Sequence, residues 1–129
     1  MEQADKKNFM RFMLLGRALV DMANENSLDG FKEVFERSKI YGDLMYWHVQ
    51  KAFKESIRQK HLQMIEYFVD TLEMSLKEDS FYGYLHPVIF RFSMDEKKGD
   101  ADEIEVNRLI LQFLAKAAGK EGLDQMEKV

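Results

Sequence analysis

The chain contains no cysteine and only one proline, Pro87, among its 129 residues. The absence of cysteine excludes disulfide bonds, thiolate metal ligands and a cysteine nucleophile, and it agrees with a reducing cytoplasmic or nuclear compartment. No apolar run approaches the roughly 20 residues that a membrane-spanning helix needs, so no membrane insertion is expected. With one proline and seven scattered glycines, few positions interrupt a helix, and the composition predicts a helical chain.

The chain also lacks a basic excess. It has 19 basic and 23 acidic residues, for a formal net charge of -4. Proteins that bind a phosphate backbone usually carry a basic excess, so nucleic acid is a disfavoured partner. The length suits one domain covering residues 1–129, and 46% hydrophobic with 33% charged residues is typical of a soluble globular protein.

Apolar residues recur at spacings of three and four, which predicts amphipathic helices. The predicted helices are 9–23, 28–39, 44–59, 61–76, 85–94 and 104–118. The segment 85–94 would also fit a strand, but no partner strand is evident. Residues 95–102 are predicted to form a charged loop, Gly119 to cap the last helix and residues 120–129 to form a frayed tail. Trp47 is expected to lie in the core.

A pattern repeats along the chain. Residues 27–35 align with residues 61–69 at an offset of 34, and a similar apolar pattern begins again at Ile104. Such periodicity is typical of helical repeat proteins, in which each helix pair buries its apolar face against its neighbours. The first helix is rich in Phe and Met, so it either caps such an array or docks onto another molecule.

The repeated segment resembles the ankyrin-repeat family. Residues 61–69 read HLQMIEYFV, which is similar to the HLEIVKLLL of an ankyrin second helix, and residues 84–87 resemble the Pro-Leu-His opening of the next unit. The resemblance covers residues 14–118 and implies a short solenoid of stacked antiparallel helix pairs, with units 9–40, 44–77 and 84–119. The family's glycine before the second helix is replaced by Asn26, by Lys60 and by Ala101 or a neighbour, and its Thr-Pro pair is absent. The alternative all-α architecture is a compact helical bundle.

No catalytic, metal or cofactor site is predicted. The three histidines are His48, His61 and His86, and none has a second metal ligand three or four residues away on its helix. The acidic residues between 95 and 105 do not match a calcium loop, because Lys97 and Lys98 occupy ligand positions. The chain has no phosphate-binding glycine loop and no nucleophile elbow. The ankyrin resemblance implies turn and interhelix hydrogen bonds for His61 and His86.

Two sets of residues are candidates for partner binding. One set comprises aromatic residues near turns, which are favoured at interfaces: Tyr41, Tyr46, Phe81, Tyr82 and Tyr84. The other is a basic stripe on one helical face: Lys51, Lys54 and Arg58, close to Lys60. The sequence therefore predicts a non-catalytic interaction module or structural subunit that binds another protein within an intracellular complex. The open alternatives are a nucleic-acid-associated domain that uses the basic stripe, and an enzyme with a pocket around His48 or His61.

Overall fold

The computed structural model describes the backbone of residues 2–74, 90–92, 94, 97, 99 and 101–127. All regular structure within these residues is helical, which confirms the predicted all-α class. The chain divides into two compact units, Met1–Met64 and Ile65–Val129.

The first unit is built on three helices, α1 (Glu2–Asn24), α2 (Leu28–Ser38) and α3 (Tyr46–Arg58). A 3₁₀ segment (Lys39–Met45) joins α2 to α3, and α4 (Leu62–Glu66) follows. Helix α1 packs against both α2 and α3. It begins well before the predicted residue 9, because residues 2–8 are polar but contain no helix-breaking residue and hydrophobic periodicity gives no signal there.

The core of this unit lies on one face of each helix. Its fully buried members include Leu19, Ala23, Phe31, Ala52, Phe53 and Ile57. Burial of each large apolar side chain contributes about 1.5–3 kcal/mol relative to exposure. Trp47 does not belong to this core, since its side chain is 76% exposed, and the prediction for it was wrong. It precedes Val49 by two residues, which places it about 200° around α3 from that buried side chain.

Two turns of the first unit share one geometry. Asn26 and Lys60, 34 residues apart, both have a φ of 59°. At the first turn, Ser27 N donates to Met22 O at 2.9 Å and Asn26 N to Ala23 O at 3.3 Å. The second turn has the same pair of bonds, from His61 N to Ser56 O and from Lys60 N to Ile57 O. Both are Schellman motifs, in which glycine usually occupies the left-handed position.

The left-handed conformation of Lys60 predicts that glycine is better tolerated at this position than alanine. The left-handed conformation destabilises a non-glycine residue by about 1–2 kcal/mol. Glycine avoids this steric cost but loses more conformational entropy on folding, which offsets part of the difference. We expect Lys60→Gly to be about 1 kcal/mol more stable than Lys60→Ala, measured by urea unfolding. The alanine variant removes the same side-chain interactions, so equal stability of the two would contradict the strain argument.

The second unit departs from the predicted single helix over residues 61–76. After α4 the chain forms a π-helical segment (Tyr67–Thr71), in which Leu72 N donates to Tyr67 O at 3.0 Å. A positive φ at Glu73 ends the helix, and residues 75–77 lie outside the described residues. No hydrophobic period marks the wider π turn, so it was not predicted.

The last helix, α5 (Ala101–Glu127), packs against the π-helical segment. Lys116 Nζ lies 2.6 Å from Asp70 Oδ1, an exposed pair that contributes little. Helix α5 begins before the predicted residue 104, so Asp102 lies in its first turn rather than in a loop. Gly119 has a φ of 69° and interrupts the helix, as predicted. Beyond it residues 120–127 are helical again, and the frayed tail stays a prediction.

The segment predicted as helix 85–94 is helical at residues 90–92 and 94. Residues 85–89 lie outside the described residues. On α5, the fully buried side chain of Asn107 has no hydrogen-bond partner among the described residues.

Candidate protein-binding surface

Helix α1 exposes large apolar side chains between residues 9 and 14. We call the set Phe9, Met10, Met13 and Leu14 the α1 surface; Phe9 and Leu14 are each 64% exposed. Gly16, Leu19 and Ala23 occupy the buried face of the same helix. Between residues 9 and 14, α1 therefore presents large apolar side chains to solvent, whereas the exposed face of a helix in a soluble domain is normally polar.

A second group of exposed apolar side chains comes from the 3₁₀ segment and the start of α3. It consists of Ile40, Leu44, Tyr46 and Trp47, which we call the 40–47 surface. Ile40 is 71% exposed and Leu44 69%. Gly42, with φ 57° and ψ -133°, lies in a region that only glycine adopts at low cost. This glycine breaks the helical path between α2 and α3 and lets the segment present its side chains outward.

An apolar cleft joins the two surfaces. It has a volume of about 270 Å³ and is lined by Asn8, Phe9, Phe12, Tyr41 and Leu44. The rings of Phe12 and Tyr41 meet edge to face, with centroids 5.4 Å apart. The Tyr41 hydroxyl donates to the carbonyl oxygen of Asn8 at 3.4 Å. Since Phe9 belongs to the α1 surface and Leu44 to the 40–47 surface, the cleft makes one continuous apolar surface of the two.

Basic residues accompany the α1 surface. Residues 6–17 contain four basic side chains and no acidic one. The four are Lys6, Lys7, Arg11 and Arg17, all exposed. One of the four, Arg17, forms a loose ion pair, in which its Nε lies 4.0 Å from Asp21 Oδ2. This segment is therefore locally positive in a chain whose formal net charge is -4.

His48 lies beside the cleft at the contact between α1 and α3. Its ring meets Phe12 edge to face, with centroids 5.3 Å apart, and packs directly on Gly16. Burial lowers the pKa of His48 below its ordinary value of 6.5, and the positive charge of Lys51 lowers it further. The neutral imidazole is thus favoured in the folded protein.

The lowered pKa of His48 predicts an acid-sensitive contact. Because the folded pKa lies below the unfolded one, the unfolded chain takes up a proton first as the pH falls, and stability decreases from pH 7 downward through the folded pKa. We expect the melting temperature to fall more between pH 7.5 and 5.5 in the native chain than in His48→Gln. Lys51→Gln should reduce the difference only partly, because burial is the larger cause. Equal losses in the native chain and His48→Gln would show that His48 titrates without linkage to folding.

The structure separates the aromatic candidates predicted from the sequence. Tyr41 is half-buried and lines the cleft, and Tyr46 is 42% exposed on the 40–47 surface. Phe81, Tyr82 and Tyr84 lie outside the described residues. The apolar side chains of α1 and the residues Ile40, Leu44 and Trp47 were not predicted as site residues. The run FMRFMLL at residues 9–15, which is too apolar for a helix with one buried face, was the available signal.

The predicted basic stripe lies on the outer face of α3. Lys51 and Arg58 are exposed and Lys54 is half-buried. Trp47 precedes Lys51 by four residues and therefore lies on the same face of the helix. Arg58 Nη2 forms an ion pair with Glu55 Oε2 at 2.8 Å. Part of the positive charge of this stripe is therefore balanced within α3.

His61 has a structural contact. Its Nδ1–H donates to the carbonyl oxygen of Ala23 at 2.8 Å, and the neighbouring Gln59 amide donates to Asn24 Oδ1 at 2.9 Å. A carbonyl oxygen only accepts, so this bond fixes the proton of the neutral ring on Nδ1. The expected interhelix hydrogen bond of His61 is therefore present, and it gives the Ala23 carbonyl oxygen a second donor beside Asn26 N at the end of α1. His86 lies outside the described residues.

In the part of the chain that the structure describes, no three His, Asp or Glu side chains are grouped to hold a metal ion. No helix found among those residues has the length and hydropathy to cross a bilayer. No protein-family model, curated protein or solved structure matches the chain. The exposed apolar surface of the first unit is thus its clearest indication of function.

Proposed function

We propose that the chain is a non-catalytic, intracellular protein-interaction module or complex subunit, and that the α1 surface, the cleft and the 40–47 surface form its binding face. The supporting observation is the exposure of eight large apolar side chains in a unit of this size. Contiguous exposed apolar patches mark interaction sites in soluble proteins. Trp and Tyr are enriched among the residues that dominate binding energy, and Met adapts to varied partner shapes.

The proposed architecture is a short array of stacked helix pairs, similar to ankyrin repeats. Two observations support it: the Schellman turns at Asn26 and Lys60 recur at the repeat offset of 34 residues, and α1 packs against α3, the first helix of the next pair. In such an array the outer face of an end unit must be capped or covered. The apolar outer face of α1 has the character of an end that another protein covers.

The cleft favours binding over catalysis. The surface that its lining residues expose is apolar, whereas acid–base chemistry needs titratable groups within hydrogen-bond reach of a substrate. Its volume of about 270 Å³ lies just below the range of about 300–1,000 Å³ that is typical of small-molecule sites. A space of this kind suits one apolar side chain of a protein partner.

A nucleic-acid-associated function is the second candidate. It is favoured by the alignment of Trp47 with Lys51, Lys54 and Arg58 on one face of α3, because bases stack on exposed aromatic rings beside cationic side chains. The overall negative charge and the ion pair between Arg58 and Glu55 make it the weaker candidate.

The binding face predicts the result of a crosslinking experiment. A photoreactive residue placed at Leu14 or Trp47 should crosslink to discrete proteins in cells, and one placed at Arg37, exposed on α2, should not. The substitutions Phe9→Ser, Met10→Ser and Leu14→Ser together should reduce the crosslinks from Trp47 at least tenfold, because the apolar contact that drives association is removed. Since these side chains are exposed, the melting temperature should change little.

The matched control replaces exposed polar residues of α2, Lys32→Ser and Glu36→Ser, and should leave the crosslinks intact. Undiminished crosslinks in the α1 variant would refute the proposed face. Recovery of nuclease-sensitive nucleic acid that is lost with Lys51→Glu/Arg58→Glu would instead favour the second candidate.

A further inference from the structure

The basic residues around the α1 surface indicate the charge of the partner that covers it. We propose that the α1 surface and the cleft bind an acidic amphipathic helix of another protein. This inference rests on the proposed function and specifies the chemistry of the partner.

The first argument is charge. Four exposed cations and no carboxylate lie within residues 6–17, interleaved with Phe9, Met10, Met13 and Leu14. Charges of opposite sign at the rim of an apolar contact steer association and select the partner. A helix with an apolar stripe flanked by Asp and Glu meets both features at once.

The second argument is shape. The exposed apolar residues of α1 form two pairs at a spacing of four, Phe9 with Met13 and Met10 with Leu14, over about two helical turns. Helices that dock on such faces present apolar anchors at i, i+3 or i+4, and i+7. The cleft beside Phe9 is concave and apolar, so it accepts one of these anchors as a fixed contact point.

The same features disfavour other occupants. A second copy of the chain on a two-fold axis would bring the four cations of residues 6–17 close to the same four cations. A lipid surface attracts basic apolar helices, but it supplies no side chain of defined shape for a cleft walled by Phe12, Tyr41 and Leu44. A nucleic-acid backbone would satisfy the cations and leave the apolar side chains uncovered.

The test is a selection followed by a charge swap. The full chain is used to select binders from a displayed library of short helical peptides with an apolar stripe and randomised flanking positions. We expect the enriched peptides to be acidic at the flanks. The substitutions Lys6→Glu, Lys7→Glu and Arg11→Glu together should weaken the best peptide at least tenfold, measured by fluorescence anisotropy. Changing the Glu residues of that peptide to Lys should restore binding to the reversed chain.

The cleft is tested with the same peptide. Phe9→Ala/Leu44→Ala should weaken it at least tenfold, while Lys32→Glu/Arg37→Glu on α2 should not. The charge-swap rescue keeps the test meaningful if a variant is less stable, because restored binding requires a folded surface.

The remaining outcomes overturn the inference. If the enriched peptides are neutral or basic, or if the charge reversal does not reduce affinity, the inference of an acidic partner helix is wrong. The proposed function would still stand if the crosslinks from Leu14 persist in cells. Co-sedimentation with vesicles of phosphatidylcholine and phosphatidylglycerol, without peptide enrichment, would assign the surface to anionic lipid. Dimerisation in sedimentation velocity that Leu14→Ser abolishes would assign it to a second copy. Loss of both peptide binding and crosslinks would remove the proposed function as well.

Discussion

Replacing Phe31 by alanine is expected to lower the free energy of unfolding by about 3–5 kcal/mol. Phe31 is fully buried on α2, and its N–H donates to Ser27 O at 2.9 Å, in the first turn of that helix. Removing the ring loses its transfer free energy and leaves a cavity that the surrounding helices fill only in part. Because native domains are stable by only about 5–15 kcal/mol, this single change should leave the first unit marginally folded.

The neighbouring Phe35 supplies the control. Its ring stacks on Phe31 with centroids 6.0 Å apart and an interplanar angle of 12°, but it is only half-buried. Phe35→Ala should therefore cost clearly less than Phe31→Ala in urea unfolding. Equal effects would mean that the core of this unit does not centre on Phe31.

The same variant separates the fold from the binding face. Helix α2 approaches α1 near Met22, whose side chain lies beside Gly30, whereas the α1 surface lies at residues 9–14 and is exposed. Phe31→Ala should reduce the Leu14 crosslinks only in proportion to the unfolded fraction, so cooling should restore them. The serine substitutions at Phe9, Met10 and Leu14 should instead reduce crosslinks at every temperature.

Hydrophobic spacing was sufficient to predict the helices of the first unit. Val49, Ala52, Phe53 and Ile57 are spaced for one face of α3, and all are buried. The left-handed turn at Lys60 was visible only as the break between the predicted helices 44–59 and 61–76, because lysine seldom adopts a positive φ. The helix predicted there is helical from Leu62 to Thr71, but its second half is π-helical, and a π turn has no period of its own in the sequence.

The binding face was harder to predict, for a physical reason. Periodicity identifies apolar stripes but does not say which stripe the rest of the chain covers. Trp47 was expected in the core, yet the buried face of α3 is set by Val49 and Phe53, and Trp47 lies outside it. Tyr41 was recognised as an interface candidate, but the cleft it forms with Phe12 and Leu44 requires two segments some 30 residues apart.

The contact between Gly16 and His48 predicts whether Gly16→Ala raises or lowers the free energy of unfolding. A Cβ atom added at Gly16 would lie 2.5 Å from the Cγ, Cδ2 and Nδ1 atoms of the His48 ring. Helix propensity alone predicts that Gly16→Ala stabilises α1 by about 1 kcal/mol. The clash predicts the opposite, a loss of about 1–3 kcal/mol, because overpacking forces side chains and backbone apart.

A double-mutant cycle isolates this contact. In the His48→Ala background the ring is absent, so Gly16→Ala should become neutral or stabilising in urea unfolding. A destabilising effect of similar size in both backgrounds would show that something other than the imidazole limits the approach of α1 to α3.

Because Phe12 packs against His48 and lines the cleft, separating the two helices should also weaken binding of the acidic peptide. The His48→Ala background should recover that affinity together with the stability, since both depend on how closely α1 approaches α3.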